Sequence, residues 1–243
     1  MHLTPIRLSE NDRLFVLTGA GISAESGLAT FRGSGGLWNG HRVEDVATPE
    51  AWDADPTLVW RFYSMRRRDA LAAHPNAGHK ALADIEQRLA QTNPDNFYLC
   101  TQNVDDLHER AGSRRIHHMH GSLFQSRCVR CDKPFADQSL YEAESAHDLP
   151  TCKTCGQPIR PHIVWFGEVP LDMDGIYREL DRATTLLVVG TSGSVYPAAG
   201  FVNIANQRRI RTIYVGPEEP LNAESFDDII LSPATQALSS LFE

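Results

Sequence analysis

The sequence predicts an α/β fold in which a parallel sheet, covered on both faces, is interrupted by two inserted modules. Three observations lead there. Short apolar runs rich in β-branched or aromatic residues recur at residues 13–18, 97–101, 185–190 and 211–215, each of strand length. Helical stretches separate them, and strands alternating with helices favour a parallel sheet. Two stretches, residues 28–73 and 121–161, break the alternation and read as insertions.

In chain order, the first run ends at Gly19-Ala-Gly21, a buried strand feeding a glycine turn and then a helix, which opens a nucleotide-binding α/β unit. The first insertion carries a glycine-rich loop, Arg32-Gly-Ser-Gly-Gly36, and then helical pattern with Asp55 as cap and Pro56 as first helical residue. Asn76 is placed to cap the next helix, where Leu82, Ile85 and Leu89 recur at helical spacing. Asn93-Pro-Asp95 then turns the chain into the second strand. The second insertion reads as polar, cysteine-bearing loops, and Pro197 is expected to start the helix between the last two strands. Strand order is not legible at this level.

Composition narrows the function. Hydrophobic residues make up 42% and charged residues 22%, enough apolar material for a core and far from a disordered composition. The formal charge of -8 repels phosphate backbones and anionic lipid, so a protein or small-molecule substrate fits better than nucleic acid. No apolar stretch of signal-peptide length stands at the start and none later reaches membrane-span length; the chain is expected to be cytoplasmic.

In such a reducing compartment, clustered cysteines are considered first as metal ligands. Cys128-Val-Arg-Cys131 and Cys152-Lys-Thr-Cys155 form two CxxC pairs with twenty residues between them, a spacing that lets two knuckles complete a zinc tetrahedron. Four thiolates close the shell, so the Zn2+ is expected to be structural. Cys100 lies within an apolar strand and reads as core.

Gly19, Gly21 and Gly27 would let backbone amides approach a pyrophosphate, but Gly27 lies too far along for GxGxxG. The position where a hydride-transfer enzyme carries an acidic strand end falls in the helical insertion, which disfavours a dehydrogenase. A larger set of motifs decides the matter: Gly19-Ala-Gly-Ile-Ser-Ala-Glu-Ser-Gly27, Thr30-Phe-Arg32, Gln102-Asn-Val-Asp105, His120-Gly121 and Gly190-Thr-Ser192. In this order, with the cysteine quartet between the last two, they resemble the sirtuin family of NAD-dependent protein lysine deacylases across residues 13–234. The resemblance implies a Rossmann-like large domain, about residues 1–27, 74–121 and 162–243. It also implies a small domain made of a helical module, about 28–73, and a zinc ribbon, about 122–161, all within one catalytic domain.

It also implies roles for residues. Gly19, Ala20, Gly21, Glu25, Thr30, Phe31, Arg32 and Trp38 would enclose NAD, Arg32 neutralising phosphate and Phe31 shielding the reacting ribose carbon from water. Gln102, Asn103, Val104 and Asp105 would meet the carboxamide and ribose hydroxyls. Gly190, Thr191, Ser192, Gly216, Glu218 and Ala234 would serve the adenosine end. His120, with Asn103, would be catalytic, the imidazole acting as general base; His117 and His118 are its neighbours and competitors. Val164, Trp165, Phe166, Gly167 and Glu168 would face Gly193 and Val195 across an acylated protein substrate bound as an extended peptide. The implied products are nicotinamide, O-acyl-ADP-ribose and free lysine.

Tyr63 and Arg66 stand three apart on one helix face. As residues alone, Arg66-Arg-Arg68 reads first as a solvated charge run. The YxxR pair, however, resembles the bacterial-type branch that removes succinyl or malonyl as well as acetyl groups, with Ala47 leaving room for longer acyl chains. One position departs from the family: Gly216 stands where an Asn is usual. A mono-ADP-ribosyltransferase on the same NAD site, and a zinc-ribbon protein binding nucleic acid, are the alternatives.

Overall fold

The structure is a computed structural model that describes residues 6, 9, 11–30, 38 and 40–241. Its main sheet holds β1 (Leu14–Thr18), β2 (Phe97–Thr101), β3 (Ile116–His118), β7 (Thr185–Val189), β8 (Arg211–Gly216) and β9 (Asp228–Leu231). The spatial order is β3-β2-β1-β7-β8-β9 and every pairing is parallel. The chain therefore builds outward from β1 in one direction, then returns to its other side with β7. That reversal makes the carboxyl ends of β1, β2 and β7 a topological switch point, where open α/β sheets place ligands.

Both faces are buried because strand side chains alternate between them. Leu14 and Val16 pack with Leu82 and Ile85 of α5 (Ala77–Ala90) and Leu238 and Leu241 of α9 (Ala234–Leu241). Phe15 and Leu17 pack on the opposite face with Ile176 and Leu180 of α7 (Met173–Asp181) and Phe201 and Val202 of α8 (Phe201–Gln207). A strand covered on both faces must be apolar at every position, which is why β1 and β7 read as unbroken runs.

The first insertion is helical, with α2 (Val43–Val46), α3 (Pro49–Ala54) and the long α4 (Pro56–Ala72). Asp55 caps α4, its Oδ1 accepting from the amides of Thr57 at 3.1 Å and Leu58 at 3.0 Å, with Pro56 next in the chain. Asn76 caps α5 in the same manner, and there His79 returns the bond in a capping box, its Nδ1 accepting from the Asn76 amide.

The second insertion differs from its sequence reading. It contains a three-stranded antiparallel sheet ordered β5-β4-β6, built from β4 (Gly121–Cys128), β5 (Pro134–Ala136) and β6 (Ile159–Ile163). Polar residues such as Gln125, Arg127 and Arg160 hide these strands from a hydrophobicity reading, because α4 and the cysteine cluster cover the sheet in place of a second apolar layer. Arg67 joins the two insertions. Its side chain is wholly buried and donates to the carbonyls of Leu123, Ser139 and Gln125, to Ser126 Oγ, and to Asp137 at 3.3 Å. Pro197 opens a 3-10 turn, Ala198–Gly200, and α8 itself starts only at Phe201.

Candidate active site and metal centre

Three glycines bring the site together. A Cβ on Gly19 or Gly21 would lie 2.8 or 2.7 Å from Gly190, and one on Gly190 would lie 2.4 Å from the Ile22 nitrogen. Only backbones fit here, so the turn after β1 nests against the end of β7, the amides of Gly19 and Gly21 donating to the carbonyls of Val189 and Gly190 at 2.9 and 2.8 Å. Gly190 has φ +63°, a conformation that disfavours any other residue. Gln102, Asn103 and Asp105 follow β2 directly at the same edge, and His120 follows β3.

The His120 ring is oriented by its Nδ1, 3.2 Å from the Gln102 carbonyl. A carbonyl only accepts, so the ring proton sits on Nδ1 and Nε2 keeps a free lone pair. Burial pulls the pKa of His120 below its ordinary value, partly offset by that bond, so the ring is a neutral base near pH 7. Its neighbours are engaged elsewhere. His117 bonds the Leu171 carbonyl and stacks on Tyr98, while both nitrogens of His118 are held, one by the Asn103 carbonyl and one by Glu109 at 2.6 Å. Val164 donates its amide to the His120 carbonyl at 2.9 Å, tying β6 to the histidine.

Behind Asn103 and Asp105 lies a buried polar network that sequence reasoning missed. The Asn76 amide donates to His79 Nδ1, so the His79 proton sits on Nε2 and faces Ser23 Oγ at 3.3 Å. Ser23 accepts from Asn103 Nδ2 at 3.2 Å and donates to Asp105 Oδ2 at 3.2 Å. Asn103 also donates to the Gly19 carbonyl at 3.1 Å, which locks its amide across the glycine turn. His108 and Thr18 extend the network through a 3.0 Å bond. Burial raises the pKa of Asp105, with Ser23 and the Leu107 amide opposing. The one signal available in sequence was the Asn76-x-x-His79 spacing, which reads as a cap before it reads as a relay. Gln102 Nε2 is buried without a hydrogen-bond partner among the described residues, an orphan donor that an amide or hydroxyl ligand would satisfy.

The acyl-selecting candidates lie beneath this site. Tyr63 is wholly buried, and burial pushes its pKa up to about 12, so it stays a phenol. Arg66 stacks its guanidinium over Trp38 at 4.0 Å, and its Nη1 is sealed from solvent with no hydrogen-bond partner among the described residues. Burial lowers its pKa, with Tyr63, Asp105 and Asp69 opposing. Trp38, expected beside NAD, thus covers Arg66. Ala47 is buried and its carbonyl accepts from the Phe166 amide at 3.0 Å.

The remaining expected residues spread along the same edge. Ala20 and half-buried Thr30 flank the first turn, while Val104 packs its side chain among the residues of α4 and β4. Glu25 accepts from Thr235 Oγ1 at 2.7 Å, joining the first turn to α9, where Ala234 packs on Gly78. Ser192 pairs with Ser194, Gly193 and Val195 continue that loop, and Gly167 turns with φ +92° beside Glu168. Glu218 receives the Tyr214 hydroxyl at its carbonyl. Phe31 and Arg32 lie outside the described residues. Gly216 has a steric reason: a Cβ there would lie 2.3 Å from the Tyr214 hydroxyl, so the phenol fills the space an Asn would need.

The four cysteine Sγ atoms all lie within 4.8 Å of one another. A zinc ion bonding sulfur at about 2.3 Å would set them about 3.8 Å apart, so the cluster fits a tetrahedral site. The Arg130 and Cys131 amides point at Cys128 Sγ at 3.4 Å, as thiolate ligands require.

Fold and site together define a dinucleotide-binding α/β protein with a structural metal ribbon and a neutral histidine at its switch point. The profile of the Sir2 family matches residues 19–197, and the chain belongs to that family. An NAD-dependent protein deacylase of Caulobacter vibrioides is 46% identical over 95% of both chains. That of Escherichia coli K12 is 46% identical over 96% of this chain and 82% of its own. Among solved structures, a Sir2 homologue bound to NAD superposes with TM-score 0.85 at 42% identity, covering 94% of this chain and 87% of that one. A Sir2 homologue complex with 2'-O-acetyl ADP ribose gives the same TM-score at 41% identity, over 94% and 90%.

Proposed function

We propose that this Sir2 family member is an NAD-dependent protein deacylase that removes acetyl, succinyl and malonyl groups from lysine side chains. The relatives of matching length carry the deacylase name, and the likeness extends over almost the whole chain. Bound NAD supplies the electrophilic ribose carbon, the nicotinamide leaving group and the hydroxyl that finally takes the acyl group. His120 takes a proton at Nε2 from that ribose hydroxyl. Asn103, held by Gly19 and Ser23, and Gln102, with its orphan amide, orient the ribose and the carboxamide. The glycine turn, with Phe31 and Arg32, receives the phosphates and keeps water from the reacting carbon. Holding both reactants in one cleft supplies much of the rate.

The substrate is a protein segment, taken as an extended strand between residues 164–168 and 193–195. The main-chain pairing expected there gives affinity with little sequence preference. The division into a Rossmann-like domain, helical module and ribbon carries over from the sequence with its limits.

One observation carries the acyl assignment: Arg66 Nη1 is buried with no hydrogen-bond partner among the described residues, on the same helix face as the buried Tyr63 phenol, a pair suited to a terminal carboxylate. The test incubates the protein with NAD and matched acetyl- and succinyl-lysine peptides, following products by mass spectrometry. O-acyl-ADP-ribose and free lysine are expected from both. In Arg66→Met the succinyl-to-acetyl ratio of kcat/KM should fall at least tenfold, about the worth of one charge-assisted hydrogen bond. An unchanged ratio would remove Arg66 from acyl selection, and ADP-ribosylated protein in place of free lysine would mean a transferase.

A further inference from the structure

The Trp165 indole lies away from solvent, only 2% exposed, and its Nε1 donates to the Tyr63 hydroxyl at 3.0 Å. We propose that Trp165 is a positioning residue for acyl selection, whose side chain fixes the Tyr63 hydroxyl as a hydrogen-bond donor toward an acyl carboxylate. This rests on the reading of Tyr63 and Arg66 given above.

Donors and acceptors fix the direction of the phenol proton. An indole N–H only donates, and a phenol has one proton and two lone pairs. Trp165 takes up one lone pair, so the hydroxyl proton is directed elsewhere. Among the described residues no acceptor receives it. A carboxylate accepts only and can meet that proton, whereas a neutral acyl group has no anionic oxygen to place there. The bond from Trp165 also polarises the phenol, making it a stronger donor.

The indole itself is held from three sides. Arg160 lies flat on it, its guanidinium carbon 3.3 Å from the ring centroid. Arg160 forks onto Glu168 at 2.8 and 2.9 Å, and Glu168 in turn accepts from the Trp165 amide at 2.8 Å. Trp52 closes the far side with ring centroids 5.9 Å apart. Turning the indole away from Tyr63 would break this packing. The turn after β6 is thereby joined to the helix carrying the YxxR pair by the hydrogen bond from Trp165 to Tyr63.

The decisive experiment is a double-mutant cycle read as the succinyl-to-acetyl ratio of kcat/KM, so that any general loss of activity cancels. Trp165→Phe keeps an aromatic ring under Arg160 but deletes the donor. The ratio should fall about three- to tenfold in Trp165→Phe, the size of one net hydrogen bond. It should fall at least as far in Tyr63→Phe, and adding Trp165→Phe to Tyr63→Phe should lower it no further. An unchanged ratio in Trp165→Phe, or the same extra drop in the Tyr63→Phe background, overturns the role of Trp165. If Arg66→Met alone leaves the ratio untouched, the carboxylate reading fails and the proposal falls with it. Loss in Arg66→Met without loss in Trp165→Phe overturns only the proposal. Should Trp165→Phe not fold, the indole 15N–H resonances of the wild-type protein with NAD provide the second measurement. The Trp165 signal, assigned by elimination with Trp38, Trp52 and Trp60 variants, should shift with succinyl-lysine peptide and not with acetyl-lysine peptide. Equal shifts would overturn it.

Discussion

Three adjacent arginines show how much a single residue's place on a helix decides. Arg66, Arg67 and Arg68 follow one another on α4, yet the turn of about 100° per residue sends them to three environments. Arg66 stacks on Trp38 where the proposed acyl site lies, Arg67 is buried against the ribbon, and Arg68 meets Glu142 in solvent. The histidines divide in the same way. With Nδ1 donating and burial lowering its pKa below the ordinary value, His120 is neutral near pH 7. The acid limb of kcat/KM against pH should therefore lie below pH 6.5, and His120→Ala should cost about 10²- to 10⁴-fold. An acid limb above pH 7 would mean another group is the base. His79, buried without charge and pulled to about 4 by burial, works on stability. Below pH 6.5 the unfolded chain binds a proton at this ring that the native state refuses until about pH 4, so stability from this residue falls as pH falls. The loss amounts to about 2 kcal/mol by pH 5. Thermal melts should show a shallower acid-side slope in His79→Gln than in wild type.

At the scale of elements, α4 is the beam on which the small modules hang. Its start is set by Asp55, and Asp55→Ala should lower stability by about 1 kcal/mol in denaturant melts, without altering acyl preference. Its middle is joined to the ribbon by Arg67. Removing that guanidinium leaves Asp137 and three carbonyls short of a donor in a buried place, so Arg67→Met should cost on the order of 3 kcal/mol. Arg68→Met, which breaks only a solvent-exposed pair, should leave the midpoint where it was. Equal effects from the two would contradict the burial pattern.

At the scale of the molecule, the ribbon and the active site share one piece of chain. β4 begins at Gly121, immediately after His120, the proposed general base, and Val164 beyond β6 holds the His120 carbonyl. Loss of the metal should therefore be felt at the histidine, although the cysteines touch no substrate. One zinc per chain is expected by atomic emission. Its removal with a strong chelator should abolish deacylation and lower the melting temperature together, both restored by zinc. Full activity in metal-free protein would break that link. Among the described residues no helix is long and apolar enough to cross a membrane.

The amino-acid sequence alone determined the parallel-sheet class, the central strands, the caps at Asp55 and Asn76 and the cysteine quartet. These features come from local patterns: unbroken apolar runs, a capping side chain three residues from its amide, a CxxC spacing. Tertiary structure alone decided the strand order, the ribbon's small sheet, the separate fates of Arg66 and Arg67, the hydrogen bonds through Ser23 and His79, and the reason for Gly216. Each of those depends on residues distant in the chain meeting in space, where burial and donor counts act between partners that no local pattern records.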